Sequence, residues 1–260
     1  MQKMRVLFED KKVEMRIFDE KERSNRPHWG EQWDMHGMSF LLNLGMENTI
    51  KKYIIKYLRG KERCLILGVG LGSDVGFLKD KSRFILGIDL STKRIKECQG
   101  LFQGEKFSFL VCDADFLPFR EGSFDVIFGK AIFHHLPRPQ HSIEEVYRVA
   151  NENAVLVIAE PSLLNPIAMI GRKFFPTNIH TLSEHPFIPS NLIGLISKYF
   201  NIIESQFLYF SSLIVPILSK YFPVFKKIIK GTFLFDSVLL KNMPMLNELC
   251  WITVVCARKV

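Results

Sequence analysis

The run L-I-L-G-V-G-L-G-S-D, from Leu65 to Asp74, constrains the fold of this chain more than any other stretch. An apolar strand that ends in alternating glycines, Gly68, Gly70 and Gly72, lets the main chain pass close to a ligand, because no Cβ is in the way and positive φ angles cost little. A second apolar strand, F-I-L-G-I, leads to Asp89 at its carboxyl end, where open α/β sheets have their ligand crevice. A carboxylate there can bind a ribose diol. Together the two segments predict a site for a nucleotide-like ligand.

Strand and helix patterns alternate regularly from Arg63 onward, which is typical of a mostly parallel sheet with helices on both faces. The predicted strands are 63–67, 84–88, 107–111, 124–129 and 154–159, and the predicted helices lie near 72–80, 91–99 and 140–150. Two further strands, N-I-I-E-S-Q-F-L-Y-F and W-I-T-V-V-C-A-R-K, complete a Rossmann-like, doubly wound α/β sheet of seven strands.

The chain divides into an N-terminal lid with helices, residues 1–60, and one domain, residues 61–260, with insertions at 161–190 and 212–249 on the substrate side. Trp29 and Trp33 are four residues apart and would share one helical face, either as packing aromatics or as a lid over the ligand. Met38 to Leu58 has the pattern of an amphipathic helix, which Arg59-Gly60 would end.

The composition limits the classes of protein to consider. With 260 residues, 47% of them hydrophobic and 24% charged, the chain can bury a large core. The five cysteines form no C-x-x-C pair, which is typical of buried thiols in a reducing compartment. Charges appear too early for a signal peptide, and no uncharged apolar run reaches about 20 residues. We therefore expect a cytoplasmic protein.

The glycine spacing and a further acidic position distinguish between nucleotide-like ligands. A dinucleotide-binding turn, G-x-G-x-x-G, would need a glycine where this chain has Ser73. Asp113 and Ala114 follow the third strand, where a carboxylate and a backbone N–H can bind the edge of an adenine. The glycine turn also has no Lys or Arg to neutralise a pyrophosphate. The pattern favours an adenosine without phosphates over a nicotinamide dinucleotide.

Four motifs occur in one order along the chain: L-G-V-G-L-G, I-D-L-S, D-A-D-F-L-P-F and F-D-V-I-F-G-K-A-I-F-H-H-L. In these motifs the chain resembles the class I S-adenosylmethionine-dependent methyltransferases, in the group related to the ubiquinone and menaquinone biosynthesis methylases. The resemblance covers about residues 38–160 and weakens in both insertions. It implies S-adenosyl-L-methionine as cofactor and methyl transfer as the activity.

The resemblance also implies cofactor-binding positions along the sheet edge. They are Gly68, Val69 and Gly70 under the methionine part, Asp89 and Leu90 at the ribose, Asp113 and Ala114 at the adenine, and Lys130 beside the sulfonium. Lys130 departs from the smaller or neutral residue that is frequent there. Its ammonium would be unfavourable beside a sulfonium unless the side chain turns away.

Three residues near the predicted methyl position are candidates for catalysis. His134 and His135 follow the fourth strand, so either could take a proton from an acceptor, or both could start a helix and form the pocket wall. Glu160 ends the fifth strand and could orient an acceptor, or act as a cap or salt-bridge partner. His180, Glu184 and His185 lack a recognised ligand spacing, so we expect no metal site.

The second insertion points to the kind of acceptor. It is apolar and aromatic with interspersed lysines, so it either lies in a membrane interface or packs as a lid helix with its lysines outward. Both interpretations favour a small or lipid-like, apolar acceptor, methylated at carbon or oxygen, and the first predicts peripheral membrane contact through residues 212–240. We expect no nucleic-acid partner, because the basic residues are interleaved with apolar ones.

Two alternatives remain open: a non-catalytic membrane-surface or scaffold protein that keeps the fold, and an NAD-dependent oxidoreductase. Ser73 and the adenine-edge motif disfavour the second of these. The sequence makes no prediction of the oligomeric state.

Overall fold

The computed structural model describes residues 40–58, 62–174 and 186–260. Its strands are β1 (Glu62–Leu67), β2 (Ser82–Asp89), β3 (Phe107–Val111), β4 (Phe124–Lys130), β5 (Ala150–Pro161), β6 (Asn201–Leu208) and β7 (Ile252–Arg258). They form one sheet in the order β3-β2-β1-β4-β5-β7-β6. Only β7 is antiparallel to its neighbours. The predicted seven-stranded, mostly parallel, doubly wound fold is confirmed.

The helices follow the predicted order with two local differences. They are α1 (Asn48–Tyr57), α2 (Val75–Leu78), α3 (Thr92–Leu101), α4 (Pro139–Val149), α5 (Pro166–Phe174), α6 (Pro189–Ser197), α7 (Ile214–Tyr221) and α8 (Ile229–Asn242). The helix predicted from Met38 is helical from Phe40, but Asn43–Glu47 forms a π-helical turn before α1. The helix predicted at 72–80 is a single turn, because Gly72 has a positive φ angle that is incompatible with a helix.

Two hydrophobic cores cover the two faces of the sheet. Alternate residues of a strand point to opposite faces, so Cys64 and Ile66 of β1 belong to one core while Leu65 and Leu67 belong to the other. The first core includes buried residues of α1, α2 and α3, and the second includes those of α4 and α6. The burial of both faces explains why the central strands are continuously apolar.

Both insertions begin at the edge of the sheet where the glycine turn lies. Strand β5 is parallel to β4, and β6 is parallel to β5 because each pairs antiparallel with β7. The segments after β5 and β6 therefore leave from the carboxyl edge, like the turn after β1. Within the described ranges, no helix is long and apolar enough to cross a membrane.

Candidate functional site

The glycine turn after β1 presents backbone to a cavity at the carboxyl edge. Gly68 and Gly70 have φ angles of 62° and 54°. A Cβ on Gly68 would lie 2.9 Å from Cδ1 of Ile132, so only glycine fits there without a shift. Between them, the N–H of Val69 donates to the carbonyl of Ile88 at 2.8 Å, and the Val69 side chain is buried in the core. The sheet thus fixes the turn and leaves the ligand side of Gly70 open.

Asp89, the last residue of β2, connects the glycine turn to the start of α3. Its Oδ2 accepts from the N–H of Gly70 at 3.0 Å, and its Oδ1 accepts from the N–H of Ser91 at 2.9 Å. The guanidinium of Arg94 lies 3.8 Å from Oδ2. A carboxylate has about four acceptor positions, so these two hydrogen bonds leave room for ligand hydroxyls. Asp89, Leu90 and Arg94 all line the cavity.

The turn after β3 supplies another wall of the cavity. Cys112 and Ala114 line it, and burial raises the pKa of the Cys112 thiol to about 11, so the thiol is neutral at physiological pH. Asp113 is half-buried and is not part of the cavity wall; its Oδ1 accepts from the N–H of Asp115 at 2.9 Å. Asp115 is fully buried, close to the guanidinium of Arg138 at 3.6 Å.

A partly buried arginine on α4 contacts the segment that follows this turn. Arg148 donates to the carbonyls of Leu117 and Phe119, both at 2.7 Å, and its guanidinium pairs with Glu145 at 2.7 and 2.8 Å. The Arg148 guanidinium holds the pKa of Glu145 below its usual range, so both groups stay charged. The position of the segment after this turn is therefore determined by α4.

The turn after β4 changes direction at Ala131, a non-glycine residue with a φ angle of 53°. Its N–H donates to the carbonyl of Ala159 at 2.8 Å, which holds this conformation in place. Such backbone strain is concentrated at functional sites. On either side of it, Ile132 lines the cavity, whereas Lys130 is not part of the cavity wall.

The Lys130 side chain instead forms an ion pair with Asp74, the residue before α2. Asp74 is 4% exposed, and its burial raises the pKa of the carboxyl while the nearby Lys130 opposes that rise. The ammonium also lies 5.7 Å from the centre of the Phe77 ring. Lys130 therefore turns away from the described cavity, and its charge is balanced next to the glycine turn.

Glu160, at the end of β5, is fully buried and holds the turn that follows Ala131. Its Oε1 accepts from the N–H groups of Ile132 and Phe133, both at 2.9 Å, and its Oε2 accepts from the N–H of His134 at 3.3 Å. The same Oε2 lies 2.7 Å from Nδ1 of His134. A carboxylate only accepts hydrogen bonds, so Nδ1 of His134 carries the hydrogen. Glu160 is thus placed to position this turn rather than to contact an acceptor.

The two adjacent histidines occupy different environments. His134 is buried, and its ring contacts that of His135 with 4.0 Å between centroids and an angle of 40° between the ring planes. His135 lines the cavity. Of the three predicted catalytic residues, His135 alone lines this cavity.

The cavity brings together some of the sequence-predicted site residues and adds others. Gly68, Asp89, Leu90, Ala114 and His135 were predicted and line it; Val69, Gly70, Asp113, Lys130, His134 and Glu160 are near it without lining it. Sequence reasoning missed Ile88, Arg94, Cys112, Ala131, Ile132 and Leu136. A signal existed for Arg94, because a helix that starts at Ser91 places its first turn beside Asp89. Trp29, Trp33, His180, Glu184 and His185 lie outside the described residues.

The sequence matches a family model described as a methyltransferase domain over residues 65–158. This range begins in β1 and ends in β5, and it contains all the residues that line the cavity. The matched family therefore corresponds to the part of the fold that forms the site.

Two curated relatives are similar to this chain. Demethylmenaquinone methyltransferase of Thermotoga maritima is 29% identical over 184 residues, which is 69% of this chain and 72% of the relative. The 2-methyl-6-phytyl-1,4-hydroquinone methyltransferase of Synechocystis is 32% identical over 98 residues, 37% of this chain and 31% of the relative.

Among solved structures, a SAM-dependent methyltransferase from Methanosarcina mazei superposes with a TM-score of 0.56. The match covers 80% of this chain and 96% of that one. At 19% identity this likeness concerns the fold alone.

Proposed function

We propose that this chain, a class I S-adenosylmethionine-dependent methyltransferase of the ubiquinone/menaquinone-methylase-like group, methylates a small or lipid-like, largely apolar acceptor at carbon or oxygen. The observation that carries the proposal is the cavity at the carboxyl edge, which Gly68, Asp89 and His135 line together. The insertions after β5 and β6 begin at the same edge and are available to enclose an acceptor.

The residues present fit the adenosine half of S-adenosylmethionine, the cofactor of this family. The remaining acceptor positions of Asp89 suit the two ribose hydroxyls, with Leu90 beside them. The adenine would lie against Ala114, with Ile132 and Leu136 as its apolar walls. Asp113 supplies a carboxylate at the rim of the same pocket for the adenine amino group.

For the methionine half, we assign the backbone of Gly68, Val69 and Gly70 and the ion pair of Lys130 with Asp74. A lone ammonium near a sulfonium would be repulsive, but the negative charge of the Asp74 carboxylate balances the positive charge of the Lys130 ammonium. A methionine end carries one ammonium and one carboxylate, and these charges are complementary to the pair. In this proposal the pair lies beside the described cavity, since neither Lys130 nor Asp74 lines the cavity itself.

S-adenosylmethionine supplies, when bound, an electrophilic methyl group on a sulfonium with a good leaving group. The protein then has to align the acceptor, exclude water and, for an acceptor hydroxyl, receive a proton. We assign the proton-accepting role to His135, because it is the predicted catalytic residue that lines the cavity. His134 and Glu160 position His135 through the ring contact and the backbone hydrogen bonds of the turn.

An apolar acceptor is supported by the two relatives, whose names specify a demethylmenaquinone and a phytyl hydroquinone as their substrates. It is also supported by the second insertion, in which apolar side chains such as Leu234, Phe235 and Val238 are exposed. An exposed apolar surface of this kind marks a binding surface. Peripheral membrane contact through residues 212–240 is part of this proposal, since a lipid-like acceptor partitions into membranes.

Transfer of a labelled methyl group from S-adenosylmethionine tests the proposal. The two acceptors compared are a hydroquinone with a prenyl tail and a polar catechol without one. We expect label in the tail-bearing product at a rate at least tenfold higher. His135→Ala should lower kcat roughly a hundredfold when the methylated atom is a hydroxyl oxygen, whereas His141→Ala, outside the cavity, should have no effect. Equal transfer to both acceptors, or to neither, would contradict the proposed acceptor class.

A further inference from the structure

The outer face of α8 and the turns on both sides of it carry several exposed apolar side chains, which together we call the α8 surface. They include Phe222, Val224, Leu234, Phe235, Val238 and Met245, which are between 54% and 77% exposed. Single exposed apolar residues are ordinary in soluble proteins, but a group of large ones within one segment marks an interaction site. The α8 surface therefore points to a binding partner that is itself apolar.

Helix α8 is apolar on both its inner and outer faces. Its inner face buries Ile229 and Leu240, and Phe233 packs 5.9 Å from the Tyr209 ring. Its exposed residues include the large apolar Leu234, Phe235 and Val238, among the polar residues that a water-facing helix normally has. Packing against the rest of the protein explains the apolar residues of the inner face, but it does not explain those of the outer face.

Within residues 205–247, the charged side chains that the structure describes as exposed are all lysines. Lys226, Lys227, Lys230 and Lys241 are exposed beside it. The only acidic residue between 205 and 247 is Asp236, which is buried and accepts hydrogen bonds from the N–H groups of Ser211 and Ser212 at 2.8 to 3.0 Å. The exposed part of the α8 surface is therefore both apolar and positively charged. An anionic lipid bilayer matches it in both respects.

The α8 surface is attached to the edge of the sheet that carries the cavity. Strand β6 ends at this edge, and the segment that follows it leads into α7 and α8. The hydroxyl of Tyr209, just after β6, accepts from the N–H of Met46 at 2.7 Å and donates to the carbonyl of Leu42 at 3.1 Å. The chain therefore enters α7 and α8 from the same edge of the sheet that carries the cavity.

We propose that the α8 surface docks on the anionic interface of a lipid bilayer, with Leu234, Phe235 and Val238 inserted among the lipids and the lysines at the headgroups. The docking itself follows from the exposed residues and their charge. That the bilayer also delivers the acceptor to the cavity rests on the proposed function.

Flotation of the full chain with vesicles tests the docking. Vesicles of phosphatidylcholine alone are compared with vesicles that contain 30% phosphatidylglycerol, at low and high salt. We expect at least tenfold tighter binding to the anionic vesicles, weakened by salt. Phe235→Gln with Val238→Gln should reduce binding at least tenfold, and Lys226→Gln with Lys227→Gln roughly fivefold for each charge removed. Leu101→Gln and Lys96→Gln, exposed positions on α3, are the matched controls and should leave binding unchanged.

Three outcomes would overturn the docking. The first is absence of binding to anionic vesicles, and the second is binding that the α8 variants do not change. The third is a dimer in sedimentation that becomes monomeric in Phe235→Gln with Val238→Gln, since a second copy of the chain would then cover the α8 surface. Failure of the proposed function is distinguishable, because it would appear as absence of methyl transfer to a water-soluble, short-tailed acceptor while vesicle binding persists.

Discussion

Glu160 and Asp74 are buried carboxylates beside the turn after β4, and different groups stabilise their negative charges. Glu160 accepts hydrogen bonds from three backbone N–H groups and from His134, so its charge organises a turn. Among the described residues, the cation paired with Asp74 is Lys130, and the Ser73 hydroxyl donates a hydrogen bond to the same carboxylate at 3.4 Å. A buried carboxylate that loses its only cation is costly, so the Lys130–Asp74 pair is the more vulnerable of the two.

Lys130→Met should destabilise the protein by about 2 kcal/mol, because it leaves Asp74 buried without a counter-charge. The double variant Lys130→Met with Asp74→Asn should recover most of this loss. Urea unfolding measures both. Lys51→Met is the matched control, since Lys51 lies at a similar distance from the same Phe77 ring, 5.6 Å from its centre, and is exposed. It should change stability by less than about 0.5 kcal/mol.

The loss in Lys130→Met should depend on pH in a defined direction. Burial raises the pKa of Asp74 above its ordinary value of about 4, and removal of Lys130 raises it further. A carboxyl whose pKa is higher in the folded state than in the unfolded state lowers the stability of the folded protein at a pH above its folded-state pKa. This loss of stability disappears as the pH falls toward the pKa of the unfolded state. The deficit should therefore be larger at pH 8 than at pH 5. A deficit that grows on acidification would contradict the assignment of the pair.

For single residues, the sequence could predict the features that depend only on residues nearby in the chain. The end of β1 and its glycines predict positive φ angles at Gly68 and Gly70, and the end of β2 predicts the place of the Asp89 carboxylate. The partner of Lys130 could not be predicted, because Asp74 is 56 residues away. Only the pairing of β1 with β4, which places Leu67 beside Gly129, brings the two together.

The π-helical turn before α1 shows how distant packing alters a local element. The sequence predicts a regular amphipathic helix through Asn43–Glu47, but Gly45 packs closely against Tyr209 and Phe233. The Tyr209 hydroxyl also takes the N–H of Met46 as a hydrogen-bond donor. Residues more than 160 positions away thus determine the turn, and helical periodicity gives no information about them.

Gly45→Ala should destabilise the protein by about 2 kcal/mol, because a Cβ there would lie 2.5 Å from the Tyr209 hydroxyl and 2.8 Å from the Phe233 ring. Gly100→Ala, in the last turn of α3 with no atom within 4 Å of the new Cβ, should stabilise it by about 0.5–1 kcal/mol. Urea unfolding of the two variants makes the comparison. Equal effects of both substitutions would show that contact with Tyr209 and Phe233 is not what requires Gly45.

At the scale of the whole molecule, the sequence predicts the sheet well and its additions poorly. Four motifs in order locate the strand ends, and these necessarily meet at one edge in a parallel sheet. No comparable rule predicts where the residues of the two insertions lie. Their hydrophobic residues could equally fill a core or face a partner, and only the exposure of Phe235 and Val238 on α8 distinguishes the two.

Titration calorimetry with S-adenosylhomocysteine tests the central claim most directly, namely that the carboxyl-edge cavity is an adenosyl cofactor site. We predict binding with a Kd on the order of micromolar, weakened at least tenfold by Asp89→Ala. The matched control Asp80→Ala, an exposed acid after α2, should leave the Kd unchanged, and thermal unfolding of each variant confirms that it is folded. Binding of NADH without binding of S-adenosylhomocysteine, or an unchanged Kd in Asp89→Ala, would contradict the account.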